Sequence, residues 1–226
     1  QYHYNLDPVK DTIHFWHTPF ESDSLYFEVS KEGYLENLTL NKRTKKTDSL
    51  VVSVNTTKVL NPLDTFQINT NTPIERFDFE KIKIVSDSVE VAFETYMSEA
   101  KNKIYLNFEQ KFDKRYEIEI QPRFIKNMFG QYSDSLAYAI STKTPEDYGN
   151  IILNLTSDIE SSFIVEILDP KENLLRTKRI SGPGTLKFEY LNPGDFLIRV
   201  TIDENHNGKW DTGNFLEKRQ PERTIY

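Results

Sequence analysis

Lys103-Ile104-Tyr105-Leu106-Asn107-Phe108 and Tyr116-Glu117-Ile118-Glu119-Ile120 alternate apolar and polar side chains residue by residue. A period of two places one set on each face of an extended strand, so one face is fitted for a core and the other for water. The same length and character recur in Leu25-Tyr26-Phe27-Glu28-Val29, Leu50-Val51-Val52-Ser53-Val54 and Val89-Glu90-Val91-Ala92-Phe93. Phe163-Ile164-Val165-Glu166-Ile167-Leu168 and Phe196-Leu197-Ile198-Arg199-Val200-Thr201-Ile202 continue the series. Turn formers separate the runs: Asn61-Pro62, Ser181-Gly182-Pro183-Gly184 (a hairpin turn by composition) and Asn192-Pro193-Gly194. No long stretch keeps an apolar stripe at helical spacing, although Phe124–Met128 fits a short helical turn. Many short strands at this spacing predict an all-β chain of antiparallel β-sandwiches.

Composition agrees. Aromatic residues make up 13% of the 226 residues, with Phe 15 and Tyr 12, and such residues suit pleated, half-buried surfaces. The net charge of −7 gives no general attraction to phosphate backbones, which argues against nucleic-acid binding. Cysteine is absent, which removes disulfides, thiolate metal sites and cysteine nucleophiles together. No apolar run is long enough to span a bilayer. The start at Gln1, without methionine or a signal peptide, reads as a mature or excised fragment.

Three segments are expected. Residues 1–60 form a partial β-unit, either the end of a preceding sandwich or extra strands of the next. Residues 61–145 form a sandwich, and a polar hinge at Thr144-Pro145-Glu146-Asp147-Tyr148-Gly149-Asn150 leads into a second sandwich over 146–226.

The candidate binding stretch is Asp203-Glu204-Asn205-His206-Asn207-Gly208-Lys209-Trp210-Asp211-Thr212-Gly213-Asn214. Calcium takes about six to eight hard oxygens, and a twelve-residue loop supplies them from alternate positions. Here those positions hold Asp203, Asn205, Asn207, the Lys209 carbonyl and Asp211, with Gly208 at the bend. Position twelve is Asn214 instead of a bidentate glutamate, and two carboxylates imply weak binding of Ca2+, on the order of 0.1–1 mM. The alternative is a metal-free turn. Asn207-Gly208 is a hairpin signal, Asp and Asn oxygens cap backbone N–H groups, and Trp210 anchors the loop.

Other chemistry is sparse. His14 and His17 lie three apart on a strand and face opposite sides, so they do not chelate one ion, and His206 falls at a loop position pointing away from the proposed cation. Glu117 and Glu119 share a strand face about 7 Å apart, near the spacing of glycosidase carboxylates, but read as a solvent stripe opposite Ile118 and Ile120. No nucleophile elbow, triad or phosphate loop is present, so no catalytic residue is assigned and the chain is read as non-enzymatic. Tyr26, Tyr34, Tyr96, Tyr105, Tyr132, Tyr138 and Tyr148 pack in sandwiches, dock a protein, or stack on sugar rings; the last makes a carbohydrate-binding module the alternative function.

Asp11-Thr12-Ile13, Asp23-Ser24-Leu25, Asp48-Ser49-Leu50, Asp87-Ser88-Val89 and Asp134-Ser135-Leu136 each open a strand run, where Asp and Ser oxygens are suited to cap the preceding turn. Together with Tyr116-Glu117-Ile118-Glu119-Ile120, Phe129-Gly130, the exit Thr142-Lys143-Thr144, Leu191-Asn192-Pro193-Gly194-Asp195-Phe196, the Asp203 loop and Gln220-Pro221-Glu222, they resemble the multidomain Ig-like proteins of Bacteroidota cell surfaces. The resemblance implies an Ig-like sandwich followed by a prealbumin-like sandwich in an outer-membrane lipoprotein of a Gram-negative bacterium. It further implies a structural or protein-interaction role, with a protein partner within a larger surface assembly. It makes Thr12, Ser24, Ser49, Ser88 and Ser135 candidates for O-glycosylation. The family's lipidated cysteine is missing here, and the family normally continues past the position of Tyr226.

Overall fold

The computed structural model describes residues 1–7, 12–31, 33–41, 49–215 and 217–226. Asp11 and Asp48, which begin two of the Asp-Ser/Thr triplets, lie outside the described residues. The chain divides into two compact units, Gln1–Thr142 and Lys143–Tyr226. Both are antiparallel β-structure, with no α-helix among the described residues. Short 3₁₀ turns at Phe79–Lys81 and Pro145–Asp147 are the helical elements described.

The first unit opens with two hairpins. Strands β1 (Tyr2–Asp7) and β2 (Thr12–His17) pair with each other, as do β3 (Ser24–Lys31) and β4 (Tyr34–Asn41). After them come β5 (Val52–Val54), β6 (Phe66–Thr70), β7 (Ile74–Phe77), β8 (Ile82–Ser86), β9 (Val89–Glu90), β10 (Phe93–Met97), β11 (Lys103–Phe108), β12 (Arg115–Ile120), β13 (Ile125–Asn127) and β14 (Leu136–Ser141). Two four-stranded sheets, ordered β10-β11-β6-β5 and β14-β12-β8-β9, enclose one core. Phe66, Ile68, Ile104 and Leu106 come from the first sheet and Ile84, Tyr116, Ile118 and Ile120 from the second, each buried to 2% exposure or less. The period-two reading of β11 and β12 holds: Ile118 and Ile120 face inward while Glu117 and Glu119 stay exposed. The first strand of this sandwich is Val52–Val54, which pairs with β6, and Leu60 is part of its core.

Two details explain how the sandwich closes. Tyr116 is buried at the start of β12, and its hydroxyl accepts the Lys111 N–H at 2.8 Å and donates to the Glu109 carbonyl at 3.4 Å. That is the corner arrangement by which Ig-like sandwiches pin the turn before a central strand. The helical turn expected around Phe124–Met128 is instead strand β13, paired with β7. Asn127, fully buried, replaces helical bonds there. Its Oδ1 accepts the Phe129 and Gln131 N–H groups, and its amide donates to Thr72 Oγ1 and Gln131 Oε1.

The second unit holds β15 (Gly149–Leu155), β16 (Ser162–Leu168), β17 (Leu174–Ser181), β18 (Gly184–Leu191), β19 (Leu197–Asp203) and β20 (Thr224–Ile225). A β15-β18 pair packs over a sheet ordered β17-β16-β19-β20, around Phe163, Val165, Ile167, Leu186, Phe188 and Ile202. Ser181-Gly182-Pro183-Gly184 therefore does not close a hairpin ladder. It carries the chain from one sheet to the other, with Gly182 at φ +88°, a conformation that side chains with a Cβ disfavour.

Candidate functional site

The Asp203 loop leaves the end of β19, and the chain returns as β20 only at Thr224. Asn207-Gly208 is thus not the tip of a two-residue hairpin. His206 and Gly208 take the left-handed conformation, at φ +58° and +73°, and the intervening chain wraps on itself. Asp203 is the hub. It is 2% exposed, and its two carboxylate oxygens accept the Asn207 N–H at 3.0 Å and the Gly208 N–H at 2.8 Å. Asn205 Oδ1 also accepts the Asn207 N–H, and Asn207 Oδ1 accepts the Lys209 N–H at 2.7 Å. Both asparagine amides donate to Asp211 Oδ2. Asp203, Asn205, Asn207 and Asp211 are thereby joined in one network, while Lys209 enters it through its backbone N–H.

Glu222 completes the arrangement. Its carboxylate accepts the Glu204 and Asp211 N–H groups at 3.0 Å each, and its carbonyl accepts the Trp210 indole N–H at 3.0 Å. The Glu222 N–H in turn donates to the Asp211 carbonyl. In the sequence, Gln220-Pro221-Glu222 stands out only through the family resemblance. No local pattern ties a glutamate to a loop that begins 19 positions earlier, because the tie forms only when β20 pairs with β19. His206 turns away from this network, and its Nδ1 lies 2.8 Å from Ser162 Oγ. Gly208 is required sterically as well as conformationally. A Cβ there would lie 2.4 Å from Arg179 Cζ, because the guanidinium rests against the glycine backbone.

For a cation, the loop brings together the oxygens of Asp203, Asn205, Asn207 and Asp211, with Glu222 adjacent. As arranged, those oxygens accept N–H donors, and the two asparagines turn nitrogen toward Asp211. Admitting an ion at the centre requires both amides to rotate and give up their bonds to Asp211. Among the described residues, no group of three or more His, Cys, Asp or Glu side chains converges as metal ligands would.

The other sequence-derived candidates are dispersed. His14 is stacked with Trp16 on one face of β2, while His17 packs edge-on to Phe20. Tyr96 and Tyr105 pair across β10 and β11 with rings stacked 4.6 Å apart at 13°, so each covers one face of the other. Thr12, Ser49, Ser88 and Ser135 are exposed. Ser24 is half-buried and its Oγ donates to Asn41 Oδ1. Asp87 and Ser88 form the turn between β8 and β9, both at positive φ, and the Asp87 carboxylate pairs with Lys114 instead of capping that turn. The ion pair raises the Lys114 pKa, chiefly through its hydrogen bond to Asp87. No helix among the described residues is long and apolar enough to cross a membrane.

No protein-family model matches the chain, and no curated protein matches it. Among solved structures it is similar to native alpha-2-macroglobulin from Escherichia coli spanning domains MG0-NIE-MG1, at 10% identity over 78% of this chain and 71% of that one, with a TM-score of 0.34. It is also similar to dimeric latent PorU from Porphyromonas gingivalis, at 9% identity over 96% of this chain and 25% of that one, with a TM-score of 0.30.

Proposed function

We propose that this chain is a non-enzymatic structural and protein-interaction segment of a bacterial surface protein, placed outside the cytoplasm at an outer membrane or cell surface. The observation that carries the reading is a pair of two-stranded hairpins, β1–β2 and β3–β4, that present apolar faces. Tyr2, Tyr4, Leu6 and Ile13 share one face of the β1–β2 hairpin and are 68%, 58%, 60% and 54% exposed. Leu25, Phe27, Leu38 and Leu40 share one face of β3–β4, and the Phe15 and Phe27 rings meet edge-on at 5.0 Å. Two-stranded hairpins are marginal in water, and an apolar face of this extent is built to be covered. Further strands from a neighbouring β-unit are the natural cover, stabilising by about 1.5–3 kcal/mol for each large side chain they bury. Amide hydrogen exchange tests the reading. The amides of β1–β4 are expected to exchange far faster than those of β11 and β12. Equal protection would show that the hairpins need no partner and would overturn the proposal.

In this setting the Asp203 loop acts first as a hydrogen-bonded clasp on the end of the second sandwich. Calcium uptake is a secondary property, through Asp203, Asn205, Asn207, the Lys209 carbonyl and Asp211, at roughly millimolar concentration. A melting curve with and without millimolar Ca2+ checks it: an upward shift of a few degrees is expected, and no shift removes the ion from the account. Thr12, Ser49, Ser88 and Ser135 are exposed and are the accessible O-glycosylation candidates, while Ser24 is half-buried. A native-host mass equal to that of the bare polypeptide would exclude modification.

A further inference from the structure

A second feature of the Lys143–Tyr226 unit lies on the outer face of its four-stranded sheet. A groove of about 530 Å³ is floored by Ile164, Glu166, Arg199 and Thr201 and walled by Trp210 and Tyr226. Arg179 and Lys209 also line it. Alternation explains the floor. Phe163, Val165 and Ile167 of β16 enter the core, so Ile164 and Glu166 point outward, opposite Thr201 and Arg199 of β19. Glu166 and Arg199 are paired at 2.6 Å, with side chains 15% and 28% exposed. The hydrogen bond that Arg199 donates to Glu166, and then its bond with Tyr226, raise the Arg199 pKa further and hold the guanidinium in place. The Trp210 ring is 53% exposed, yet it is held by its indole bond to the Glu222 carbonyl.

We propose that this groove binds an acidic saccharide, a sugar ring bearing a carboxylate. Three properties select that class. An exposed, immobilised indole offers a flat apolar surface to the C–H face of a sugar ring at little entropic cost. The hydroxyls of Thr177, Thr224 and Tyr226 and the Glu166–Arg199 pair give donors and acceptors for ring hydroxyls, while Thr201 is buried beneath them with its Oγ1 3.4 Å from Thr224 Oγ1. Arg179, Arg199 and Lys209 outnumber Glu166, so the groove is locally cationic on a chain whose net charge is −7. That excess favours a carboxylate over a neutral ring. A peptide added as an extra strand does not fit this floor. β16 is already hydrogen-bonded on both sides, to β17 and β19, which leaves only side chains to recognise a ligand there. The site is independent of the apolar faces of the β1–β2 and β3–β4 hairpins, so either assignment can fail alone.

The test is an NMR titration of the whole chain with a galacturonic acid trisaccharide, and with maltotriose as the neutral control. Saturable shifts are expected at the Trp210 indole N–H and at the amides of Thr177, Thr201 and Thr224, with a Kd of about 1 mM. Maltotriose should bind at least about ten-fold more weakly, a difference worth about 1.4 kcal/mol. Lys209→Ala and Arg179→Ala, both at exposed positions, should each weaken the acidic ligand several-fold, and Trp210→Ala should abolish the shifts while leaving the amides of β16 unmoved. Equal affinity for maltotriose would overturn the acidic assignment. Absence of saturable shifts up to about 10 mM, or shifts indifferent to Lys209→Ala and Arg179→Ala together, would overturn the site.

Discussion

Replacing Asp203 with alanine removes the hub of the clasp, and the structure sets the size of the loss. Two hydrogen bonds disappear, from the Asn207 N–H at 3.0 Å and the Gly208 N–H at 2.8 Å, both to a carboxylate that is 2% exposed. Hydrogen bonds to a charged group contribute about 1.5–3 kcal/mol each. Asn207 is exposed and Gly208 half-buried, so water recovers part of what the two donors lose. The net cost is then about 2–4 kcal/mol. A domain of 60–100 residues loses roughly 4–8 °C of Tm per kcal/mol, so the transition of the second unit should fall by roughly 8–32 °C in scanning calorimetry. Asp203→Asn retains one acceptor but presents an N–H₂ group to the other N–H, and should lie between wild type and alanine. A loss below about 1 kcal/mol for the alanine variant would mean that the carboxylate does not organise the loop.

Further predictions concern the loop, the first sandwich and pH. Gly208→Ala should cost about 1–2 kcal/mol for its left-handed backbone, at φ +73°. It should also displace the Arg179 guanidinium; in an Arg179→Ala background only the backbone cost should remain, read as a double-mutant cycle on Tm. Asn127→Ala should destabilise the first unit by about 3 kcal/mol in a denaturant titration, because it leaves buried donors and acceptors without their partner. The Asp169 carboxyl is held below its ordinary pKa, first by the Asn173 amide and then by backbone N–H groups of Asn173 and Lys171. Since the folded value is depressed, its stabilisation of the β16–β17 turn is present above the unfolded pKa of about 3.9 and is lost as pH falls through the folded value. Exchange of the Lys171 and Asn173 amides should therefore lose protection in that acid range, and Asp169→Asn should abolish the pH dependence.

Strand positions were legible because burial imposes a period of two that survives in the residue order. Tyr116, Ile118 and Ile120 could be picked out against Glu117 and Glu119 without knowing any partner strand. Connections were less legible, because turn composition reports local φ and not destination. Gly182-Pro183-Gly184 bends the chain whether it closes a ladder or crosses between sheets, and only the core preferences of β17 and β18 decide. For a related reason Phe124–Met128, which fits a helical turn by composition, holds strand β13 instead. Asn127 satisfies the local N–H groups with its side chain, and that bond set depends on Thr72, more than 50 residues away in sequence.

The Asp203 loop shows the same divide inside one site. Its alternate oxygens and its bend at Gly208 were readable, since both follow from spacing and backbone sterics. What those oxygens bind was not. Each Asp or Asn oxygen can accept a cation or an N–H, and the choice turns on how many donors the fold delivers to the same place. Here β20 delivers Glu222, which takes the Glu204 and Asp211 N–H groups and leaves Asp211 Oδ2 to receive the two asparagine amides. Glu222 thus satisfies two backbone donors of the loop, and it fixes the Trp210 ring through its own carbonyl. The clasp and the outer groove share Gly208, Lys209 and Trp210, and both depend on Glu222, a residue that neither spacing nor composition marks. A Glu222→Gln exchange would preserve the carbonyl bond to Trp210 while weakening the hold on the two N–H groups, which separates the loop's stability from the shape of the groove.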